Sequence, residues 1–102
     1  MRIMLACCAG MSTSLVVSKM QEAAKEQGKD YKIWAVEQGQ IQEDLGNFDV
    51  LLLGPQVRHI LRKVTKIVGD QAPIAVIDAV AYGRCDGAAV IKQAEALIGK
   101  EG

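Results

Sequence analysis

Blocks of apolar residues along the chain predict strands and helices in turn. Four short runs are apolar or rich in β-branched and aromatic residues, which indicates strands. These runs are residues 2–6, 31–36, 49–54 and 73–78. The first and third are apolar almost throughout, as expected of strands that are covered on both faces.

Between the strands, apolar residues recur at helical spacing. From Met11 to about Gly28 the apolar face is predicted to hold Leu15, Val16, Met20, Ala23 and Ala24, with Lys19, Glu22, Lys25 and Glu26 opposite. Similar patterns predict one helix over 55–69, another from Gly87 to about Gly99, and a short helix near 40–45.

Strands that alternate with helices over short connections predict an α/β fold with a single parallel sheet. The length of 102 residues suits one domain, residues 1–102. In such sheets ligands bind where the strands end at their carboxyl edge. Four turns are therefore expected along one edge: residues 7–14, 37–39, 54–56 and 78–86.

Charge and cysteine usage narrow the class of protein. Twelve basic residues balance twelve acidic ones, so no overall charge favours nucleic acid or an anionic membrane surface as a partner. The sequence has neither a secretory signal pattern nor an apolar run long enough to span a bilayer, so a cytoplasmic protein without membrane insertion is expected. Three cysteines, an odd number, favour reduced thiols. Cys7, Cys8, Cys85 and the single histidine, His59, lack the spacing of a metal site, and no cofactor is predicted.

The first turn has the composition of an anion-binding site. A helix beginning near Met11 leaves backbone N–H groups unsatisfied and carries a positive dipole end. Gly10 lets the loop curl, and Ser12, Thr13 and Ser14 add hydroxyl donors. This combination predicts a cradle for a phosphate-sized anion.

The two adjacent cysteines are predicted to differ. Cys7 stands at the start of the loop, where the same donors lower the pKa of its thiol and make it a nucleophile. Cys8 points in another direction and is expected to be an ordinary small residue, as free cysteines usually are.

Three collinear segments carry a family resemblance. "CCAGMSTSLVVSKM" at 7–20 closely resembles the phosphocysteine loop of the enzyme IIB components of the sugar phosphotransferase system, lactose/cellobiose (chitobiose) class. "VLLLGPQV" at 50–57 and "VIDAVAYGRCDG" at 76–87 are similar to later segments of that family. The resemblance runs nearly end to end and implies a flavodoxin-like sheet of strand order 2134 in a three-layer sandwich, like that of low-molecular-weight phosphatases.

The resemblance also implies roles. Cys7 aligns with the phosphorylated cysteine, and Cys8 with a position commonly held by serine. Enzyme IIA would donate the phosphoryl group from a phosphohistidine, and the membrane component IIC would hold the sugar that receives it, such as cellobiose, chitobiose or lactose. A monomeric carrier is expected. The predicted phosphate-binding loop is Cys8, Ala9, Gly10, Met11, Ser12, Thr13 and Ser14, and the residues predicted to support it or dock partners are Gln56, Asp78 and Tyr82.

Two alternatives use the same loop. A low-molecular-weight-phosphatase-like or arsenate-reductase-like enzyme fits the spacing, but Thr13 stands where such loops have an arginine that grips the phosphate and stabilises the transition state. Asp78 or Asp86 would have to serve as the general acid, whereas for Asp78 a cap on the following loop is the favoured role. A thiol redox protein is disfavoured, because adjacent cysteines form only strained disulfides.

Other residues receive simpler interpretations. His59 is expected at the surface and Cys85 is expected to be a partly buried bystander. Gly83, Asp86 and Gly87 match the family segment, but also suit a glycine-rich turn capped by an aspartate. A basic face on the 55–69 helix is either merely solvated or meets an acidic partner.

Overall fold

The core of the fold is a parallel sheet in the order β2-β1-β3-β4, which confirms the predicted order 2134. The structure is a computed structural model that describes residues 1–7 and 11–98, and of residues 7, 11–13 and 38 the backbone alone. Its strands are β1 (Arg2–Cys7), β2 (Lys32–Glu37), β3 (Val50–Leu53) and β4 (Ile74–Val76).

Helices cover both faces of the sheet in three layers, as predicted. They are α1 (Met11–Glu26), a 3₁₀ helix (Gln38–Asp44), a second 3₁₀ helix (Pro55–Ile60), α2 (Leu61–Val68), α3 (Ala79–Gly83) and α4 (Gly87–Ile98). Each face of the sheet has its own cluster of buried hydrophobic side chains. On one face α1 and α4 pack against the sheet, and on the other the two 3₁₀ helices and α2 do so.

The central strand β1 shows why its sequence is uniformly apolar. Ile3 and Leu5 enter the cluster beneath α1 and α4, while Met4 and Ala6 enter the cluster on the opposite face. All four are fully buried. Because successive side chains of a strand point to opposite faces, a strand covered on both faces must be apolar at every position.

The segment 55–69, predicted as one helix, is broken. The second 3₁₀ helix ends at Ile60 and α2 begins at Leu61, with non-helical backbone at Val57 (φ −116°, ψ 22°). Val57 is nevertheless buried among the core residues of that face. The segment is helical as predicted, but its first part is a 3₁₀ helix, a form common in short connectors.

The segment 78–86, predicted as a turn, contains the short helix α3, and β4 ends at Val76 rather than Asp78. Asp78 caps α3 by accepting a hydrogen bond from the N–H of Ala81 at 3.0 Å. The helix ends at Gly83, and two residues later Cys85 adopts a left-handed conformation (φ 52°), while the N–H of Asp86 donates to the Ala81 carbonyl. Five residues are too few for periodicity to reveal, and the capping residues at both ends define this helix.

Helices α1 and α4 pack unusually closely at Gly87. A Cβ atom at this position would lie 2.3–2.4 Å from backbone atoms of Lys19 and Met20. Gly87, the first residue of α4, is buried. Only glycine allows the two backbones to approach to this distance.

The apolar face of α1 differs from the predicted face at two positions. Leu15 is 53% exposed, whereas Val17, left out of the predicted face, is buried. Val16, Met20 and Ala24 are buried as predicted. Among the described helices, none has the length and apolar character needed to cross a membrane.

Candidate site at the carboxyl edge of the sheet

Cys7 is the last residue of the central strand. It pairs with Glu37 at the end of β2, and α1 begins four residues later at Met11. The predicted strand–turn–helix setting of the first turn is thus present. The first turn of α1 contains no acidic side chain, so no carboxylate from that turn offsets the positive end of its dipole.

The predicted loop lies only partly within the described residues. Cys8, Ala9 and Gly10 lie outside them, and for Cys7 and Met11 to Thr13 the backbone is described. Ser14, in the first turn of α1, has an exposed side chain. The roles of these residues in binding phosphate stay predictions.

The turn after β3 lies directly beside Cys7. The N–H of Gly54 donates to the carbonyl oxygen of Ala6 at 3.0 Å, which extends the ladder between β1 and β3 by one bond. The chain then enters the second 3₁₀ helix through Pro55 and Gln56. This arrangement places Gln56, an exposed residue, at the predicted edge.

Gln56 and Tyr82 contact each other across this edge. The Gln56 amide nitrogen donates to the Tyr82 hydroxyl at 3.0 Å. Tyr82 packs against the cluster beneath α1 and α4, whereas Gln56 belongs to the helical layer on the other face. The bond therefore joins the two outer layers beyond the ends of β3 and β4, and we call it the edge bridge.

Four further residues that the sequence singled out follow β3 or β4 along the chain. Asp78 is exposed, and its carboxylate caps α3, the role that the sequence favoured over a general acid. His59 is exposed as predicted, and Cys85 is half-buried. Asp86 caps α4 by accepting a hydrogen bond from the N–H of Ala89 at 3.1 Å. Within residues 1–7 and 11–98, no three Cys, His, Asp or Glu side chains come together as metal ligands would.

Comparison with known proteins decides the family. The model of the family described as "PTS system, Lactose/Cellobiose specific IIB subunit" matches residues 2–93. The chain belongs to this family. It is therefore a component of a sugar phosphotransferase system and works with the other components of that system.

Relatives of this IIB chain agree over nearly its whole length. It is 42% identical over 99 residues to the oligo-beta-mannoside-specific EIIB component of Bacillus subtilis (strain 168), covering 95% of each chain. It is 48% identical over 104 residues to the galactose-specific EIIB component of Lactococcus lactis subsp. cremoris (strain MG1363), covering 94% of each. The solution structure of the cellobiose-specific IIB component of Borrelia burgdorferi shares 33% identity and a TM-score of 0.81, covering 97% of this chain and 92% of that one.

Gln93 of this IIB chain has a structural role that the sequence did not predict. Its amide nitrogen donates to the carbonyl oxygen of Val76 at 2.8 Å, and its amide oxygen accepts from the N–H of Asp78 at 3.1 Å. Where β4 ends, the Gln93 side chain thereby makes the backbone hydrogen bonds that a neighbouring strand would otherwise make. It fixes the start of the segment leading to α3. A single glutamine on an amphipathic helix carries no sequence signal for such a role.

The groups with shifted pKa values in the described part of this IIB chain lie away from the carboxyl edge. Hydrogen bonds from Lys29 and Tyr31 hold the pKa of Glu95 below its ordinary value, and the bond to Glu95 raises the pKa of Tyr31 to about 12. At the start of β1, the Arg2 guanidinium lowers the pKa of the Asp49 carboxyl. These shifts come from ion pairs and hydrogen bonds that hold elements together.

Proposed function

We propose that this IIB component carries a phosphoryl group on Cys7, taken from a phosphohistidine of enzyme IIA and delivered to a sugar bound by the membrane component IIC. The observation that carries the proposal is the position of Cys7, at the end of the central strand and four residues before the start of α1. The cytoplasm, expected from the sequence, is the proposed place of the transfer.

The proposed chemistry consists of two displacements at phosphorus. In the first, the Cys7 thiolate attacks, an S–P bond forms, the N–P bond breaks, and the electron pair returns to the imidazole nitrogen. In the second, the oxygen of a sugar hydroxyl attacks, an O–P bond forms, the S–P bond breaks with its electron pair returning to the Cys7 sulfur as thiolate, and the hydroxyl proton is released. The positive end of α1 stabilises both the thiolate and the phosphoryl group.

Residues 8–14 are proposed to bind the phosphoryl oxygens through backbone N–H groups and hydroxyls. Thr13 has no guanidinium, so the loop lacks the bidentate contact that a phosphatase uses to stabilise attack by water. We therefore expect the phosphocysteine to persist until a sugar accepts its phosphoryl group. Steady hydrolysis of an aryl phosphate by the protein alone would contradict this part of the proposal.

The decisive experiment is an intact-mass measurement after mixing with phosphorylated enzyme IIA. The wild type and Cys8→Ser should each gain one phosphoryl group, whereas Cys7→Ser should gain none, because a serine hydroxyl is not ionised near neutral pH. Cys8→Ser is the matched control, since it removes a thiol one residue away. Modification that persists in Cys7→Ser would refute the assignment.

The sugar is proposed to be a β-linked disaccharide such as cellobiose, chitobiose or lactose. Relatives named for oligo-beta-mannoside, galactose and cellobiose are 42%, 48% and 47% identical to this chain, so overall identity does not select among them. A phosphotransfer assay with the matching IIC and a panel of disaccharides would test the choice. A monosaccharide accepted in preference to every disaccharide would overturn it.

A further inference from the structure

A row of basic side chains follows the second 3₁₀ helix and α2. Arg62, Lys63 and Lys66 lie on α2, where Arg62 and Lys66 are one turn apart, and Arg58 and His59 lie on the 3₁₀ helix directly before it. All five are exposed, while Val57, Val64 and Val68 on the opposite side are buried. We call this row the basic stripe.

Among the described residues, no salt bridge joins the basic stripe to an acid, including Asp70 just beyond α2. Residues 50–69 contain no aspartate or glutamate, although the whole chain is formally neutral. The salt bridges among the described residues join Arg2 to Asp49, Lys19 to Glu22 and Lys29 to Glu95, all outside the stripe. Glu43 and Asp44, on the 3₁₀ helix packed beside α2, form none of these pairs. The molecule is therefore polarised, with one positive face on a chain that is otherwise net negative.

The basic stripe lacks the apolar centre of a protein-binding surface. Within the described part of the chain, the large hydrophobic side chains that are exposed are Leu15 and Val80, and neither lies on the stripe. Protein interfaces are built around buried aromatic and aliphatic anchors and are depleted in lysine. A surface of exposed charges without such anchors fits a broad anionic surface better than a shaped protein site.

We propose that the basic stripe binds the anionic lipid headgroups of a membrane surface. The stripe begins beside the site, because the second 3₁₀ helix follows Gly54, whose N–H bonds to Ala6, the residue before Cys7. Lipid binding through this side would hold Cys7 near the membrane plane without insertion. The inference rests on the proposed function in one respect, which is that the carrier delivers its phosphoryl group to a membrane component.

Vesicle binding tests the inference directly. At low salt the full chain should bind vesicles of phosphatidylcholine containing one third phosphatidylglycerol, but not vesicles of phosphatidylcholine alone, and binding should weaken as salt is added. The double variant Arg62→Gln/Lys63→Gln should bind at least about tenfold more weakly, because each basic residue near an anionic surface contributes about 1 kcal/mol. The control Lys25→Gln/Lys92→Gln changes the net charge equally at exposed positions outside the stripe and should bind like the wild type.

Three outcomes would overturn the inference. The first is that the wild type does not bind anionic vesicles at low salt. The second is that both double variants lose vesicle binding equally. The third is that the wild type does not bind vesicles while Arg62→Gln/Lys63→Gln loses affinity for phosphorylated enzyme IIA. The last would assign the stripe to an acidic protein. The mass measurement on Cys7 is independent of lipid, so failure of the proposed function and failure of this inference are distinguishable.

Discussion

At the scale of single residues, the pairing of Cys7 decides how firmly it is held. Cys7 is paired with Glu37 in the ladder between β1 and β2, so its backbone is held by the sheet. A nucleophile is positioned most precisely when a regular element holds its backbone, and this favours Cys7 as the phosphorylated residue.

The edge bridge leads to a prediction for Tyr82. Tyr82→Phe removes the hydroxyl that accepts from Gln56 while keeping the packing of the ring, so the unfolding free energy should fall by about 1 kcal/mol or less. If the bridge positions the edge beside Cys7, phosphoryl uptake should slow about threefold or more, as small misplacements of a reacting group are costly. The measurement is the rate of phosphoryl transfer from enzyme IIA, together with urea unfolding.

Tyr31→Phe is the matched control for Tyr82→Phe. It removes the only other tyrosine hydroxyl, which bonds to Glu95 at 2.5 Å and lies away from the carboxyl edge. It should lower stability while leaving the transfer rate unchanged. An equal slowing in both variants would show that the edge bridge acts through stability alone.

At the scale of elements, the contact between α1 and α4 depends on Gly87. Gly87→Ala would place a methyl group 2.3–2.4 Å from the backbone of Lys19 and Met20, which forces the helices apart. We expect the unfolding free energy to fall by about 1–3 kcal/mol, the usual cost of overpacking. Chemical denaturation measures this change.

Gly83→Ala provides the comparison for Gly87→Ala. Gly83 ends α3, is exposed, and has no atom within 4 Å of a Cβ built there. Its substitution should change stability by less than about 0.5 kcal/mol. If the two alanine variants unfold at the same denaturant concentration, the close approach of the helices does not limit stability.

At the scale of the whole molecule, one polar network joins distant parts of the chain. The Glu95 carboxylate on α4 accepts hydrogen bonds from Lys29 and Tyr31, in the connection between α1 and β2. These partners are separated from Glu95 by 66 and 64 residues. The network connects α4 to the segment that precedes β2 by hydrogen bonds.

The network predicts how stability depends on pH. Because the pKa of Glu95 is lowered on folding, its contribution is present at neutral pH and is lost as the pH falls below the ordinary value of 4.5. Because the pKa of Tyr31 is raised from 10.0 to about 12, its contribution is lost as the pH rises through that interval. Glu95→Gln should lower the unfolding free energy by about 1 kcal/mol at pH 7, a value that allows for the partial exposure of Glu95. It should also reduce the fall in unfolding free energy at acid pH, which is the acid limb of the pH profile.

Urea unfolding between pH 3 and 7 measures this effect. Glu22→Gln serves as the control, because the Lys19–Glu22 pair is exposed and spans 4.0 Å. It should change stability by less than about 0.5 kcal/mol. An acid limb that stays equally steep in Glu95→Gln would show that other carboxylates govern acid unfolding.

The sequence by itself determined the strands and the main helices. A parallel strand covered on both faces has to be apolar throughout, so runs such as 50–53 are visible as sequence. The strand–turn–helix pattern at Cys7 is local, and so is the spacing of the basic stripe. The family resemblance implied the strand order, which depends on how distant strands pair.

Only the tertiary structure decided which separated residues meet. The edge bridge joins residues 26 positions apart, Gly87 faces the backbone of Lys19, and Glu95 receives bonds from residues more than 60 positions away. Periodicity on α1 also failed to reveal that Leu15 is exposed. The physical reason is common to these cases: helical spacing defines a face, but the element packed against that face decides which positions are buried, bonded or too close for a side chain.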